Sequence, residues 1–524
     1  MKNFKKNSLL MLLTLFVFTS CFKLEDTDFN TKDTATYFET EDDIANAVTV
    51  VYNSLAKGTQ DELTTNSTFG GLYDGLTIIL SASAHTGYDT RTFGGNKITS
   101  DNKDIKNLYV YSYFGISKAN LVITKAKEIE MSEENRNKYI AEARFLRGLF
   151  YFNLVQYFGG VPIRVEDYDG SYEDSLLPRS SAEEVYDFII EDFKFAETYL
   201  PLDDFDGGNH ATGRASSSAA SGLLAKVYLT MAGHPLNKGT SHYTLARDYA
   251  KKVMDLNIYQ LLPDYGEIFH STNKNNREWL FSVQFSDVAN EQGHWGGWQN
   301  LQNNWDELSY GQWHDKGDGY GRVTLTQELV EAYNEEDPRA KFIIVRTKKK
   351  AKKGVPQIET KLWKLRTMKF RFSAPRGEAR HQCAVNAPVL RYADILLTYA
   401  EAENEINGPT QASFDAINQV RARARAGIPF ADIPASSEPA DLFGLDQESL
   451  RENIFWERAR ELCLEGLDRF DLVRSGNYYT IKSNAVHVNQ VGGVLDPEAH
   501  HDLLPIPIEA IRNNPKIENQ NPGY

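Results

Sequence analysis

Residues 220–232 read ASGLLAKVYLTMA, and after a turn bearing Gly233, Pro235 and Gly239, residues 243–255 read YTLARDYAKKVMD. Small alanines at Ala219, Ala225, Ala246 and Ala250 alternate with bulky Leu223, Tyr228 and Tyr249 at helical spacing. Small residues let two helix axes approach, while the bulky ones fill the flanks, so the pair is expected to fold as an antiparallel helical hairpin. Just upstream, residues 137–158 (NKYIAEARFLRGLFYFNLVQYF) are apolar over most of the helical circumference and stop at Gly159-Gly160-Val161-Pro162. A helix that is apolar all round belongs in the middle of a protein rather than on its surface.

Working outward, residues 181–200 form a partner helix, with a Ser cap and acids in its first turn and Pro201 at its end. A further pair spans residues 390–406 and 411–426 around Gly408-Pro409, and a helix-rich stretch covers 446–474. The set resembles tetratricopeptide-type units, in which stacked hairpins bury one continuous core. The expected fold is therefore mostly α, about four tetratricopeptide-like hairpins in a superhelical scaffold, with minor β. One domain is expected over residues 21–524, carrying a loop-rich insertion at about 259–388. Within that insertion, Trp279 to Phe285 and Phe342 to Val345 read as short strands.

The N-terminus opens with Lys2, Lys5 and Lys6, an apolar run from Leu9 to Phe18, and Thr19-Ser20-Cys21. An apolar run of about 10 residues is too short to span a bilayer as a helix and reads as an export signal, residues 1–20. Small residues ending on cysteine look like a bacterial lipoprotein signal, with Phe18 where such boxes usually carry Leu. Acylation of Cys21, by palmitate for example, would anchor the mature chain, since each buried methylene contributes about 0.8 kcal/mol. The acidic run behind it, Phe22 to Asp28, resembles an export signal for the outer leaflet of the outer membrane. The chain holds 57 Lys+Arg against 72 Asp+Glu, a formal charge of −15, and loss of the signal lysines makes it more negative. So acidic a surface argues against nucleic acid as a partner. Of the remaining cysteines, Cys463 reads as a buried thiol in a helical pattern, with a bond to Cys383 left open.

No G-x-S-x-G, H-E-x-x-H or P-loop occurs, and the histidines show no metal-ligand spacing, so no catalytic residue, cofactor or metal is expected. Paired acids for glycoside hydrolysis stay open, because the separation that matters there is spatial. Residues 294–314 (HWGGWQNLQNNWDELSYGQWH) interleave Trp295, Trp298, Trp305, Tyr310 and Trp313 with amides and an acid. Flat rings suit the apolar C–H faces of a pyranose and amides suit its hydroxyls, which makes this segment the first binding candidate. The competing role for these tryptophans is to plug the insertion onto the helices. A second candidate, Tyr73 to Gly95, contributes Tyr88, Asp89 and Arg91. Residues 341–380 concentrate Lys and Arg, which would favour an anionic glycan if they border the binding face, and otherwise read as a solvated hairpin or a partner contact.

Four segments taken together resemble the SusD/RagB family of outer-membrane nutrient-binding lipoproteins. They are Ala141 to Arg147 running into Tyr157 to Pro162, Leu390 to Leu397 with Tyr399 to Ala402, Glu457 to Leu462 with Arg469 to Arg474, and Leu504 to Pro507 with Asn513 to Pro515 and Gln520 to Tyr524. The resemblance implies a non-catalytic receptor that faces the cell exterior over a SusC-like TonB-dependent transporter and delivers oligo- or polysaccharide to it. Some members of the family take peptides or host glycans instead, and a surface glycoside hydrolase or a purely protein-binding scaffold are the rival classes. Replacing Cys21 by Ala should abolish incorporation of labelled palmitate and move the protein from the membrane fraction to the soluble one; unchanged fractionation would refute the anchor.

Overall fold

The computed structural model describes residues 37–55, 80–82, 98–165, 176–205, 212–270, 272–284, 323–325, 327–347, 364–367, 369, 386–484 and 497–524. In chain order the first elements are α1 (Glu41–Leu55), β1 (Leu80–Ala82), α2 (Lys103–Lys125), α3 (Glu133–Phe158), α4 (Ala182–Tyr199), α5 (Ser217–Ala232) and α6 (Thr240–Asp255). The middle holds β2 (Trp279–Val283), β3 (Val323–Leu325), α7 (Gln327–Ala332), α8 (Pro338–Ile343), β4 (Ile344–Thr347), β5 (Lys364–Thr367) and β6 (Ala387–Arg391). The C-terminal part is α9 (Tyr392–Asn407), α10 (Gln411–Arg425), α11 (Gln447–Glu461), α12 (Asp468–Arg474), α13 (Tyr478–Asn484) and α14 (Ile508–Asn513).

The fold is mostly helical, as expected, with successive helices packed side by side: α2 on α3, α3 on α4, α4 on α5, α5 on α6, α6 on α9, and α9 on both α10 and α11. α3 is the central member. Ser132 caps it by accepting from the Asn135 N–H at 3.1 Å, and Gly159, at φ 69°, ends it. Phe145, Leu146, Phe150, Tyr151, Leu154 and Tyr157 are all buried, which accounts for the apolar circumference seen in the sequence. Helices approach closely where residues are small. A Cβ on Gly115 of α2 would lie 2.3 Å from the Phe150 ring of α3. In the α5/α6 hairpin the four alanines are fully buried and Tyr228 stacks on Tyr249 with centroids 5.6 Å apart.

Differences from the sequence reading cluster where short elements meet. Helices α1 and α2 were not anticipated. Leu390 and Arg391 belong to β6, and α9 begins only at Tyr392; Phe342 and Ile343 finish α8 before β4 starts. The 446–474 stretch breaks at a turn after Glu461. Cys463 sits in that turn, not in a helix, as a free buried thiol that burial pushes up in pKa; its contact is Tyr333 Oη at 3.5 Å. Cys383 lies outside the described residues. No described helix is long and apolar enough to cross a membrane.

One buried ionic network joins the middle elements to the helices. Arg391, at the end of β6, donates to Glu278 at 2.5 Å, to Glu465 at 2.7 Å and to Glu461 at 3.2 Å. Arg423 of α10 reaches Glu278 at 2.9 Å and also binds Glu461. Arg339 of α8 pairs with Asp337 and Glu461, each at 2.9 Å, and with Glu457 at 2.8 Å. Arg421 and Arg460 complete the Glu457 site at 2.7 and 2.8 Å. A second cluster links Lys226 and Arg458 to Asp394, each at 2.7 Å, and Arg458 and Arg474 to Asp471, each at 2.8 Å. Within α11, Glu457 pairs with Arg460 three residues on, whereas Arg458 turns away from Glu461 to the α9 and α12 acids.

Burial alone would raise these carboxyls. The surrounding guanidinium and ammonium groups outweigh it and hold Asp394, Glu457, Glu461 and Asp471 below the usual carboxylate range. Groups whose pKa falls on folding stabilise above the unfolded value, about 4, and that stabilisation is lost as pH drops toward the folded value. The melting temperature should therefore fall as pH drops below about 4.5. Glu457→Gln should flatten that acid limb while costing about 3–5 kcal/mol near neutrality, because three arginines lose their buried partner. Thermal denaturation across pH checks both.

Candidate ligand-binding site

The insertion leaves and rejoins the scaffold at one place. β2 pairs antiparallel with β6, Trp279 opposite Arg391 and Val283 opposite Ala387. Trp279, Leu280, Phe281 and Val283 are all buried, so this two-stranded root is clamped by core packing at one end and by the Arg391 network at the other. At its open end four polar side chains interlock. Asn275 and Gln284 exchange hydrogen bonds, both at 3.0 Å, Asn386 donates to Gln284 at 2.9 Å and to Asn275 at 3.1 Å, and Gln284 donates to Ser282 Oγ at 2.9 Å. The cluster lies against Gly213, at φ 70°, where any Cβ would stand 2.2 Å from Gln284.

A second, four-stranded sheet in the order β1-β3-β5-β4 is antiparallel throughout. Its first pair joins distant parts of the chain: Leu80 faces Leu325, Ser81 faces Thr324 and Ala82 faces Val323. The chain leaves β1 at Ala82 and enters β3 at Val323, and these two residues are paired at the same end of the sheet. β4 and β5 are joined at Thr347 and Lys364, and strand polarity puts that junction, which leads into the lysine-rich connection, at the opposite end of the sheet.

Trp295, Trp298, Trp305, Tyr310, Trp313, Tyr88, Asp89, Arg91 and Cys21 themselves lie outside the described residues. So do most of the basic residues of the 341–380 stretch, with one informative exception. Lys369 is fully buried, donating to Glu465 at 2.5 Å and to the Cys463 and Glu461 carbonyls at 2.7 and 3.2 Å. It is an anchor for the insertion and not part of a solvated patch. Of the other tryptophans, Trp279 is buried and Trp456 half-buried, while Trp363 is outside the described residues. No group of three or more His, Cys, Asp or Glu among the described residues is arranged to hold a metal.

Two concave surfaces lie elsewhere. A groove of about 630 Å³ between α2 and α14 is lined by Tyr109, Tyr113, Phe114 and Ile517, with Lys106 and Glu509 paired at 3.0 Å on its rim. Burial pushes the Tyr109 hydroxyl up to about 12, so it stays a neutral donor. An open groove of about 490 Å³ runs along α10 beside Phe443. Sequence reasoning missed both, the first because α2 was not anticipated.

Family models match at both ends, with residues 364–524 fitting the SusD family and residues 24–229 fitting "starch-binding associating with outer membrane". The chain belongs to the SusD/RagB family. "SusD-like protein P2" of Formosa agariphila is 25% identical over 548 residues, covering 100% of both chains. The "Starch-binding protein SusD" of Bacteroides thetaiotaomicron is 25% identical over 214 residues, 36% of each chain. A solved SusD homologue from B. thetaiotaomicron superposes with a TM-score of 0.76 at 25% identity, over 94% of this chain and 99% of that one. The tryptophan-bearing segment of this SusD-like protein falls between the two matched stretches, where neither family model extends.

Breaking the amide cluster should loosen the root without touching the helices. Asn386→Leu leaves Gln284 and Asn275 short of a donor at a local cost of about 1–3 kcal/mol. Limited proteolysis should then cut faster between residues 285 and 385 while the melting temperature changes little; an unchanged cleavage rate would count against the clasp.

Proposed function

We propose that this protein is a cell-surface receptor that captures an oligo- or polysaccharide and hands it to a SusC-like TonB-dependent outer-membrane transporter, held at the membrane by lipid on Cys21. The observation that carries the proposal is the β1–β3 pairing, since it sets the end of β1, which the Tyr88 segment follows in sequence, beside the start of β3, which the tryptophan segment precedes. The starch-binding description of the N-terminal family model supports the ligand class and its outer-membrane wording supports the location.

Capture of this kind needs no bond to be broken. Trp298, Trp305 and Trp313 would stack on the apolar faces of sugar rings, with Trp295 and Tyr310 flanking, and the neighbouring amides with Tyr88, Asp89 and Arg91 would take hydroxyls. A platform tied to a clamped root loses little freedom when ligand arrives, which favours affinity. Delivery then depends on the lipid tether keeping receptor and transporter at high local concentration.

A glycan-array screen of the chain from residue 22 onward, beside Trp298→Ala, Trp305→Ala and Trp313→Ala, tests the reading. At least one variant should bind about tenfold more weakly, a loss of about 1.4 kcal/mol, with an unchanged melting temperature. Binding to no glycan would redirect the assignment to a peptide ligand, and release of shortened products would make the protein a hydrolase.

A further inference from the structure

The open groove on α10 lies on the C-terminal helical part of the chain and uses none of the residues proposed above. Its floor and walls are Gln411, Asp415, Gln419 and Arg425 on α10, with Asp441 and Phe443 on the segment that leads to α11. Phe443 is 81% exposed, the highest value among the described large apolar side chains. Exposed single apolar residues are ordinary. What sets this one apart is that the backbone around it is fixed.

Asn418 accepts from the Leu442 N–H at 2.8 Å and donates to the Leu442 carbonyl at 2.9 Å. Arg421 donates to the Ala440 carbonyl at 2.7 Å, and Arg425 pairs with Asp441 at 2.7 Å. Leu442 turns inward against the core. The next side chain is thus held outward on a segment tied down at three consecutive positions, and its ring meets no aromatic or cationic partner among the described residues.

The chemistry around the ring narrows the ligand. A protein-binding hot spot presents several contiguous apolar side chains. Here one aromatic ring stands beside three amides, two carboxylates and a guanidinium, with Leu442 half-buried under them. A flat apolar face rimmed by paired donors and acceptors is complementary to a sugar ring, whose C–H face packs on the aromatic while adjacent hydroxyls bridge carboxylate and amide. We infer that the outer face of α10 is a second saccharide subsite, with Phe443 as its platform and Asp415, Gln419 and Arg425 as its hydroxyl partners. The inference rests on the glycan-receptor reading and extends it: a polymer that engages two subsites of one receptor gains effective concentration at the second from binding at the first.

Affinity electrophoresis of the chain from residue 22 onward through gels cast with starch, laminarin or alginate tests it, with Phe443→Ala, Asp415→Ala and Phe443→Trp compared with the unaltered protein. In whichever gel retards the unaltered protein, Phe443→Ala and Asp415→Ala should weaken the apparent affinity at least threefold, and Phe443→Trp should preserve it, all with unchanged melting temperature. Retardation that persists equally in both alanine variants while Trp298→Ala, Trp305→Ala or Trp313→Ala abolishes it would overturn the subsite and leave the receptor reading intact. Retardation of the unaltered protein by none of the three would remove the glycan reading's support, and the subsite would fall with it.

Discussion

The middle strands and α8 are joined to the helical scaffold through buried charge, and Glu461 is the hub. Its carboxylate meets arginines from β6, α8 and α10. Its own carbonyl, and that of Cys463 just beyond, accept from Lys369. A buried ion pair adds little net stability compared with well-packed apolar residues, because desolvation offsets the attraction. Its effect lies in discrimination. An arginine buried beside the wrong neighbour is a charge without a partner, so the many pairs around Glu461, Glu457 and Glu278 are satisfied together in one register of helices and strands.

That constraint explains how an elaborated middle can sit on a simple stack of helices without disturbing it. The root strands β2 and β6 are closed by Glu278 and Arg391 on the scaffold side and by the amide cluster of Asn275, Gln284 and Asn386 on the outer side. Two chemically different clasps thus bracket one short ladder. Apolar packing of Trp279 and Phe281 fills the space between them. In the proposed receptor a rigid root would reduce the entropy lost when ligand binds.

Much of the helical framework was legible in sequence because its signals are local. The capping serine at 181, the small-residue spacing in α5 and α6, and the glycine stop after α3 each act within a turn or two of helix; the Ser132 cap, upstream of the stretch read as α3, was missed. α2 escaped because its stripe is interrupted by Tyr111, Ser112 and Tyr113; α1 carries a regular apolar stripe at Ile44, Ala47, Val48, Val51 and Leu55 that was legible and went unread. The last two residues of the 387–391 strand, Leu390 and Arg391, were absorbed into the following helix, since a run of buried apolar residues reads alike in either state. The ring-rich segments stood out by composition, yet composition has no direction, and the pairing of β1 with β3 is invisible to any local pattern.

The sequence by itself determined the excess of acidic residues, the helical periodicity and the inventory of rings and amides, because each is a property of composition or of near neighbours along the chain. Tertiary structure alone decided which charges are partners and which segments are neighbours. Lys369 looks like one basic residue among many and is an internal anchor; Arg458 looks poised for its own helix and instead binds α9 and α12; Phe443 looks unremarkable and is held in water by three fixed contacts. The physical reason is range. Periodicity and capping act over a few residues, whereas ion pairing, strand pairing and exposure depend on chain segments tens to hundreds of residues apart meeting in one folded arrangement.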